Sequence, residues 1–275
     1  MSSRPLRHCA FLILALAGLL VSTKLPAQEP GSVPETKAPP PTQVAPPAAT
    51  PAPASLEDWK AQHDKQLKED WPWLSHFRDD NSKLPPPAPG ENRVVFMGDS
   101  ITQAWKIEGP EGSFPGKPYI NRGISGQTTP QMVLRFRQDV IDLKPKVVII
   151  LAGTNDIAGN TGVESVEQIE GYIADMAQLA TANHVRVVLC SILPAYDYPW
   201  APGLTPAPKI LAINQWMSAY AAAHGHVYVD YHTALKDYRD GLPAPFSKDG
   251  VHPLPSGYAI MAPLAEAGIE KALKE

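Results

Sequence analysis

Cysteine is nearly absent from this chain: Cys9 and Cys190 are the only two in 275 residues. One pair cannot build a disulfide framework, and no Cys/His cluster has the spacing of a zinc site. Runs of Lys or Arg are also missing. The formal net charge of -4 leaves no basic face for nucleic acid. The apolar run Ala10 to Val21 has 12 residues, too few to span a bilayer comfortably. There is no Gly-x-Ser-x-Gly elbow, so that route to a serine nucleophile is not indicated. No internal repeat appears.

Proline is abundant instead, at 31 residues, nine of them between 28 and 55. Ahead of that stretch, Arg4, Arg7 and His8 make a basic start, the apolar run follows, and Leu25-Pro26-Ala27 offers a small residue for cleavage before Gln28. Residues 1–27 are therefore expected to be a signal peptide, and the protein secreted or periplasmic. An uncleaved run would be the one membrane contact. No cysteine follows it, which argues against a lipid anchor. Cleavage would remove Arg4, Arg7 and Lys24 and no acid, leaving a more acidic mature chain. It would also leave Cys190 as the sole thiol, in the apolar stretch Val187 to Ile192, where a small buried core residue is expected. Residues 28–55 cannot bury enough surface to fold and are expected to be a disordered linker.

Residues 56–275 form the expected folded domain: an N-terminal helix and loop over 56–90, then a core over 91–275. Ser55 with Asp58 makes a weak capping box. Leu56, Trp59, His63, Leu67 and Trp71 fall near one helical face, and Pro72 ends the pattern. From Arg93 onward short apolar runs alternate with longer helical ones. Strands are expected at Arg93–Met97, Tyr119–Asn121, Val147–Ala152, Val185–Ile192 and Val227–Asp230. Helices are expected near Pro130–Leu143, Val166–Asn183, Lys209–His224 and Ser256–Leu273. Strands apolar on both faces, alternating with helices, predict an α/β fold: a three-layer α/β/α sandwich around a five-stranded parallel sheet.

Four segments fall where strands should end. Gly98-Asp-Ser100 follows the first strand and presents a hydroxyl at the entry to a short helical turn. Asn121-Arg-Gly-Ile-Ser-Gly126 follows the second, and Gly126 lets a backbone N–H approach a ligand. Gly153-Thr-Asn155-Asp156 follows the third and offers an amide donor in Asn155; Asp156 fits a structural role, bonding loop amides. Asp249-Gly-Val-His252-Pro253 precedes the last helix, with a carboxylate three residues from an imidazole. Alone, each fits a cap, a turn or a surface pair. Together they supply an activated hydroxyl, a base with an orienting acid, and donors for an oxyanion, the parts of an acyl transfer.

These four segments, in order, resemble the blocks of the SGNH, or GDSL, hydrolase superfamily over roughly two-thirds of the chain. Asn121 to Thr129 and Lys144 to Asn155 look most like the branch holding platelet-activating-factor acetylhydrolase catalytic subunits and lysophospholipase-like bacterial esterases. The resemblance implies a flavodoxin-like sandwich, no metal and no cofactor. It implies Ser100 as nucleophile, His252 as base, Asp249 as its orienter, and an oxyanion hole from Ser100, Gly126 and Asn155. The expected activity is that of a secreted serine esterase acting on a small ester or lipid of the lysophospholipid kind, or on an acetylated sugar as a carbohydrate O-acetylesterase. A non-catalytic surface-binding module has no use for the full Ser100, His252 and Asp249 set. Tyr196, Tyr198 and Trp200, on the proline-stiffened loop after strand four, are candidate walls of a substrate pocket, with packing of the loop as the other reading. Trp105 is expected in the core. His63, His76, His184, His224, His226 and His232 show no metal spacing.

Overall fold

A strand that is apolar at every position needs cover on both faces, and the first and third strands here have no polar residue. The computed structural model of the protein describes residues 56–274; the expected signal peptide, linker and Ser55 cap lie outside them. In chain order the elements are α1 (Leu56–Glu69), α2 (Arg78–Lys83), β1 (Val94–Gly98), α3 (Ser100–Ala104), β2 (Tyr119–Gly123), α4 (Thr129–Asp139), β3 (Val147–Leu151), α5 (Thr154–Ile157), α6 (Val166–Ala182), β4 (Arg186–Cys190), α7 (Ala207–His224), β5 (Val227–Val229), α8 (Tyr231–Leu235) and α9 (Pro255–Lys274). The five strands form one sheet in the order β2-β1-β3-β4-β5, and every pairing is parallel. The expected three-layer α/β/α architecture is therefore the one adopted, with the flavodoxin-like strand order.

Side chains divide between the layers by alternation. Val95, Met97, Val148, Ile150, Val187 and Leu189 face α4, α6 and α7, meeting Met132, Phe136, Ile173 and Met217. Val94, Phe96, Val147, Ile149, Val188 and Cys190 face the other layer, meeting Trp105, Tyr231, Tyr258 and Met261. Each such buried side chain contributes about 1.5–3 kcal/mol, which makes this two-sided core the main stabilising element. Trp105 sits in it as expected, stacked on Tyr258 and edge-on to Phe96. Cys190 is buried too, and burial pushes its thiol up to about 12.

Several boundaries move, each for a local reason. Strand four starts at Arg186, not Val185, because the Val185 N–H donates to Ala180 O and closes α6. It stops at Cys190 because the Asn214 side chain of α7 takes over at Ile192, accepting from its N–H and donating to its C=O. The helix expected to run to Leu143 ends at Asp139, and a 3-10 turn covers Ile141–Leu143 before Lys144 turns left-handed at φ 53°. The stretch expected to be loop up to Gly90 holds α2. Docking there comes from the segment after α1: the Trp71, Pro72 and Leu74 carbonyls accept from Gln131, Gln127 and Gln138 in and just before α4.

One buried ion pair ties these pieces to β1. Arg135 of α4 and Asp139, one turn on, are both fully buried, with Nη1 3.1 Å from Oδ2. Nη2 of Arg135 donates to Gly98 O at 3.0 Å, and Nε donates to Gln127. Asp139 Oδ1 accepts from Asn81 of α2 at 2.7 Å. Burial draws the Arg135 guanidinium down to about 10 against the raising charge of Asp139, so it remains a cation at neutral pH. Removing one partner of such a pair leaves an uncompensated buried charge. Arg135→Met should lower unfolding stability by about 3–5 kcal/mol in urea titrations, and adding Asp139→Asn should restore part of it. A loss under about 1 kcal/mol for the single variant contradicts this role.

Candidate active site

Sheet register brings the candidate residues to one edge. Gly98, the last residue of β1, pairs with Gly123 of β2 and with Leu151 of β3. Ser100, Gly126 and Asn155 therefore leave the same row of the sheet, on loops that flank the β1/β3 switch point where ligands bind in such folds. The exit from β1 is tight: a Cβ on Gly98 would lie 2.1 Å from Thr102 Oγ1 and 2.7 Å from Leu151 O. Asp99 caps the turn that follows, its Oδ1 accepting from Ile101 N–H at 2.9 Å. Ser100 opens α3 and stays partly exposed.

Ser100 Oγ lies 2.9 Å from His252 Nε2, and His252 Nδ1 lies 2.7 Å from Asp249 Oδ2. The loop carrying the last two is clamped at its base by the Ser247–Pro253 bridge and by Leu254 N–H donating to Phe246 O. Tyr258 of α9 donates to Ile101 O at 2.7 Å, tying the helix that follows His252 to the one that carries Ser100. The other Asp249 oxygen accepts three hydrogen bonds, from the N–H of Val251 and of His252 and from the Ser247 hydroxyl. Partial burial pushes the Asp249 carboxyl up, but those donors and the His252 ring prevail and hold it well below the usual carboxylate range. An ionised Asp249 can only accept, so His252 Nδ1 carries the proton and Nε2 faces Ser100 as the acceptor.

On the other side of the serine, Asn155 is buried. Its Nδ2 donates to Gln127 O at 3.0 Å and to Asp99 Oδ2 at 3.3 Å. Gly126 takes φ 78°, the left-handed region that favours glycine. Burial pushes the Asp99 carboxyl up to about 6, against the lowering pull of the Ile101 N–H and of His252. Asp156 accepts from the Thr129 N–H at 2.8 Å and from its hydroxyl, tying the loop after β3 to the start of α4.

The three aromatics of the loop after β4 separate. Trp200 is 43% exposed, its ring centroid 5.9 Å from that of His252. Tyr198 is fully buried and stacks on Trp200, so, contrary to the expectation of a pocket wall, it packs beneath that ring and does not face solvent. Tyr196 is exposed, with the Arg239 guanidinium over its ring. It opens onto a cleft of about 390 Å3 whose lining includes Asp249 and Gly250 but not Ser100. A second cleft, about 560 Å3 and largely apolar, is lined by Trp105, Pro253, Tyr258 and Ala262. Among the described residues no group of three or more His, Cys, Asp or Glu side chains gathers as a metal set. No helix among them is long and apolar enough to cross a membrane. Arg135, Gln127 and Asn160 escape sequence reasoning. Each is a polar residue outside the four segments, and each has at least one partner remote in sequence: Gly98 for Arg135, Pro72 for Gln127, Gly126 and Trp200 for Asn160.

The profile described as the GDSL-like Lipase/Acylhydrolase family matches residues 96–260. A solved GDSL-like lipase from Bacteroides thetaiotaomicron is 43% identical, with a TM-score of 0.71 over 74% of this chain and 100% of that one. An acetylxylan esterase from Geobacillus stearothermophilus is 26% identical over 211 residues, covering 65% of this chain and 94% of that enzyme. Another acetylxylan esterase, from Xylanibacter ruminicola, is 26% identical over 249 residues, 77% of this chain; the chain spans only 48% of its length.

Behind the loop that carries Asn155, the carboxyl oxygens Asp156 Oδ2 and Glu164 Oε2 are both buried without another partner. Burial and the charge of Asp156 push Glu164 up to about 7, and burial pushes Asp156 up as well, so below that pH the pair retains a proton. The raised value fixes the sign: the stabilising contribution is complete below about 4.5 and is lost as pH rises through about 7. Glu164→Gln should therefore leave Tm nearly unchanged at pH 5 and raise it relative to wild type at pH 8. Parallel Tm–pH curves for the two proteins contradict a shared proton.

Proposed function

The chain belongs to the GDSL-like lipase/acylhydrolase family and is a carboxylic ester hydrolase, and we propose that it works through an acyl-enzyme on Ser100. The observation that carries this reading is the continuous relay from Ser100 Oγ to His252 Nε2 to Asp249 Oδ2, at 2.9 and 2.7 Å. His252 takes the Ser100 proton as Oγ bonds to the ester carbonyl carbon. The carbonyl π pair moves to oxygen, and the N–H groups of Ser100 and Gly126 with the Asn155 amide stabilise that oxyanion. The 3.3 Å contact from Asn155 to Asp99 is long for such a bond, and is the one an oxyanion would displace. Collapse expels the alcohol, which takes the proton from His252. Water then repeats the sequence, giving up its proton to His252 as it attacks the acyl-enzyme and releasing the acid. Asp249 holds the imidazole in one tautomer and stabilises its charged form.

The ester we favour is an acetyl group on a carbohydrate. Trp200 stands half-exposed beside His252 and offers a flat ring to a sugar face, and two relatives are acetylxylan esterases. The apolar cleft bounded by Trp105, Pro253 and Tyr258 supports the second reading, a lysophospholipid-like ester, since Pro253 adjoins His252; Ser100 is absent from its lining. Export to the secretory space is part of the proposal, on the basic and apolar N-terminal segment.

Ser100→Ala should abolish hydrolysis of p-nitrophenyl acetate while the circular dichroism spectrum and Tm stay those of the wild type; retained turnover sinks the covalent route. Asn155→Ala should lower kcat by roughly 10²–10³ with KM nearly unchanged. Acetyl release from acetylated xylo-oligosaccharides should exceed acyl release from lysophospholipids. The opposite order overturns the sugar reading and leaves the mechanism standing.

A further inference from the structure

Asn160 lies five residues beyond Asn155 and outside every block that carries the resemblance. Its amide nitrogen donates to Asn155 Oδ1 at 2.9 Å and to Gly126 O at 3.3 Å. Its amide oxygen accepts from the Trp200 indole N–H at 3.1 Å. Its backbone N–H donates to Asn155 O at 3.0 Å. One side chain thus touches two residues of the proposed oxyanion hole and the aromatic ring beside the base.

The order of donors and acceptors is forced. An indole N–H can only donate, so the Asn160 oxygen must face Trp200. The Asn160 NH2 then faces Asn155 and Gly126. Because it donates to Asn155 Oδ1, the Asn155 NH2 must turn the other way, towards Asp99, Gln127 O and the serine side. Without this relay only the Gln127 carbonyl and Asp99 would oppose a half turn of the Asn155 amide that presents an oxygen, a repelling group, to a developing oxyanion. Gly126, at φ 78°, is pinned from its carbonyl side by the same NH2.

We propose that Asn160 is a positioning residue that sets the amide polarity of the oxyanion hole, and that Trp200 sets the polarity of Asn160. The proposal rests on the reading of Asn155 as an oxyanion donor. It gives Trp200 two jobs: its ring faces the substrate side beside His252, and its N–H reaches the oxyanion hole through Asn160. Substrate that shifts Trp200 therefore acts on catalysis as well as on binding.

The test is a double-mutant cycle on p-nitrophenyl acetate hydrolysis, with Tm recorded for each variant. Asn160→Ala should lower kcat roughly tenfold, less than the loss of a donor itself, with KM within about twofold of wild type. In the Asn155→Ala background the same change should lower kcat by less than about threefold, because the two act as one unit. Trp200→Phe keeps a ring beside His252 and loses the N–H. It should lower kcat several-fold alone and have no further effect in the Asn160→Ala background. Wild-type kcat in Asn160→Ala, or fully multiplicative losses, overturns the positioning role. Wild-type kcat in Asn155→Ala overturns the oxyanion reading beneath it, whatever Asn160 does.

Discussion

The fully buried Arg135 guanidinium is the constraint on which the active edge of the sheet depends. A cation in that position must be neutralised and its donors used, or it costs several kcal/mol. Its partners are Asp139 one turn along α4, the Gly98 carbonyl at the end of β1, and Gln127 just before α4. Satisfying it therefore locks the start of the Ser100 turn to the loop whose Gln127 carbonyl holds Asn155. Asp139 in turn recruits Asn81, which brings in the N-terminal segment. Local chemistry at one side chain thus fixes the relative positions of three loops that lie far apart in sequence.

The rest of the site divides into a buried half and a half-exposed half. Asp99, Asn155 and Asp156 are buried and held by side-chain and backbone bonds. Ser100 and His252 are partly exposed and Asp249 is exposed. That division would suit the proposed acyl transfer: donors that meet charge only in the transition state gain from a fixed, low-dielectric setting, whereas an acid–base pair must exchange protons with water and alcohol. An exposed Asp249 stays ionised because Ser247, Val251 and His252 donate to it, not because it is shielded.

Much of this was legible in the sequence. Strands apolar on both faces pointed to a covered parallel sheet, and three chemistry-bearing segments do follow strand ends, those of Ser100, Gly126 and Asn155; the fourth, Asp249 to His252, comes after α8, 20 residues past β5. What escaped has a physical pattern. The helices α2 and α5 span six and four residues, too few turns to show a period. Strand four was overextended because Ile192 is as apolar as its neighbours; its backbone is taken by Asn214, a partner 22 residues away. Tyr198 and Trp200 are equivalent as letters on one loop, and only packing decides that the first goes under the second. Arg135 and Asn160 each have one near partner, Asp139 and Asn155, but the bonds that tie them to the site's backbone go to Gly98 and Gly126, 37 and 34 residues off.

Those two residues share a logic that bears on specificity. Both are polar side chains whose donors go to protein oxygens beside the proposed site: Arg135 to Asp139, Gln127 and Gly98, and Asn160 to Asn155 and Gly126. They differ in exposure. Arg135 is sealed in the core and answers only to the fold. Asn160 is half-buried and bonded to Trp200, which is open to solvent. On the proposed reading, variation in the loop after β4 would alter the alcohol that the ring accepts and, through one amide, reach the Asn155 and Gly126 donors. The Ser100 turn is held from behind as well, by Arg135 and by the tight exit at Gly98.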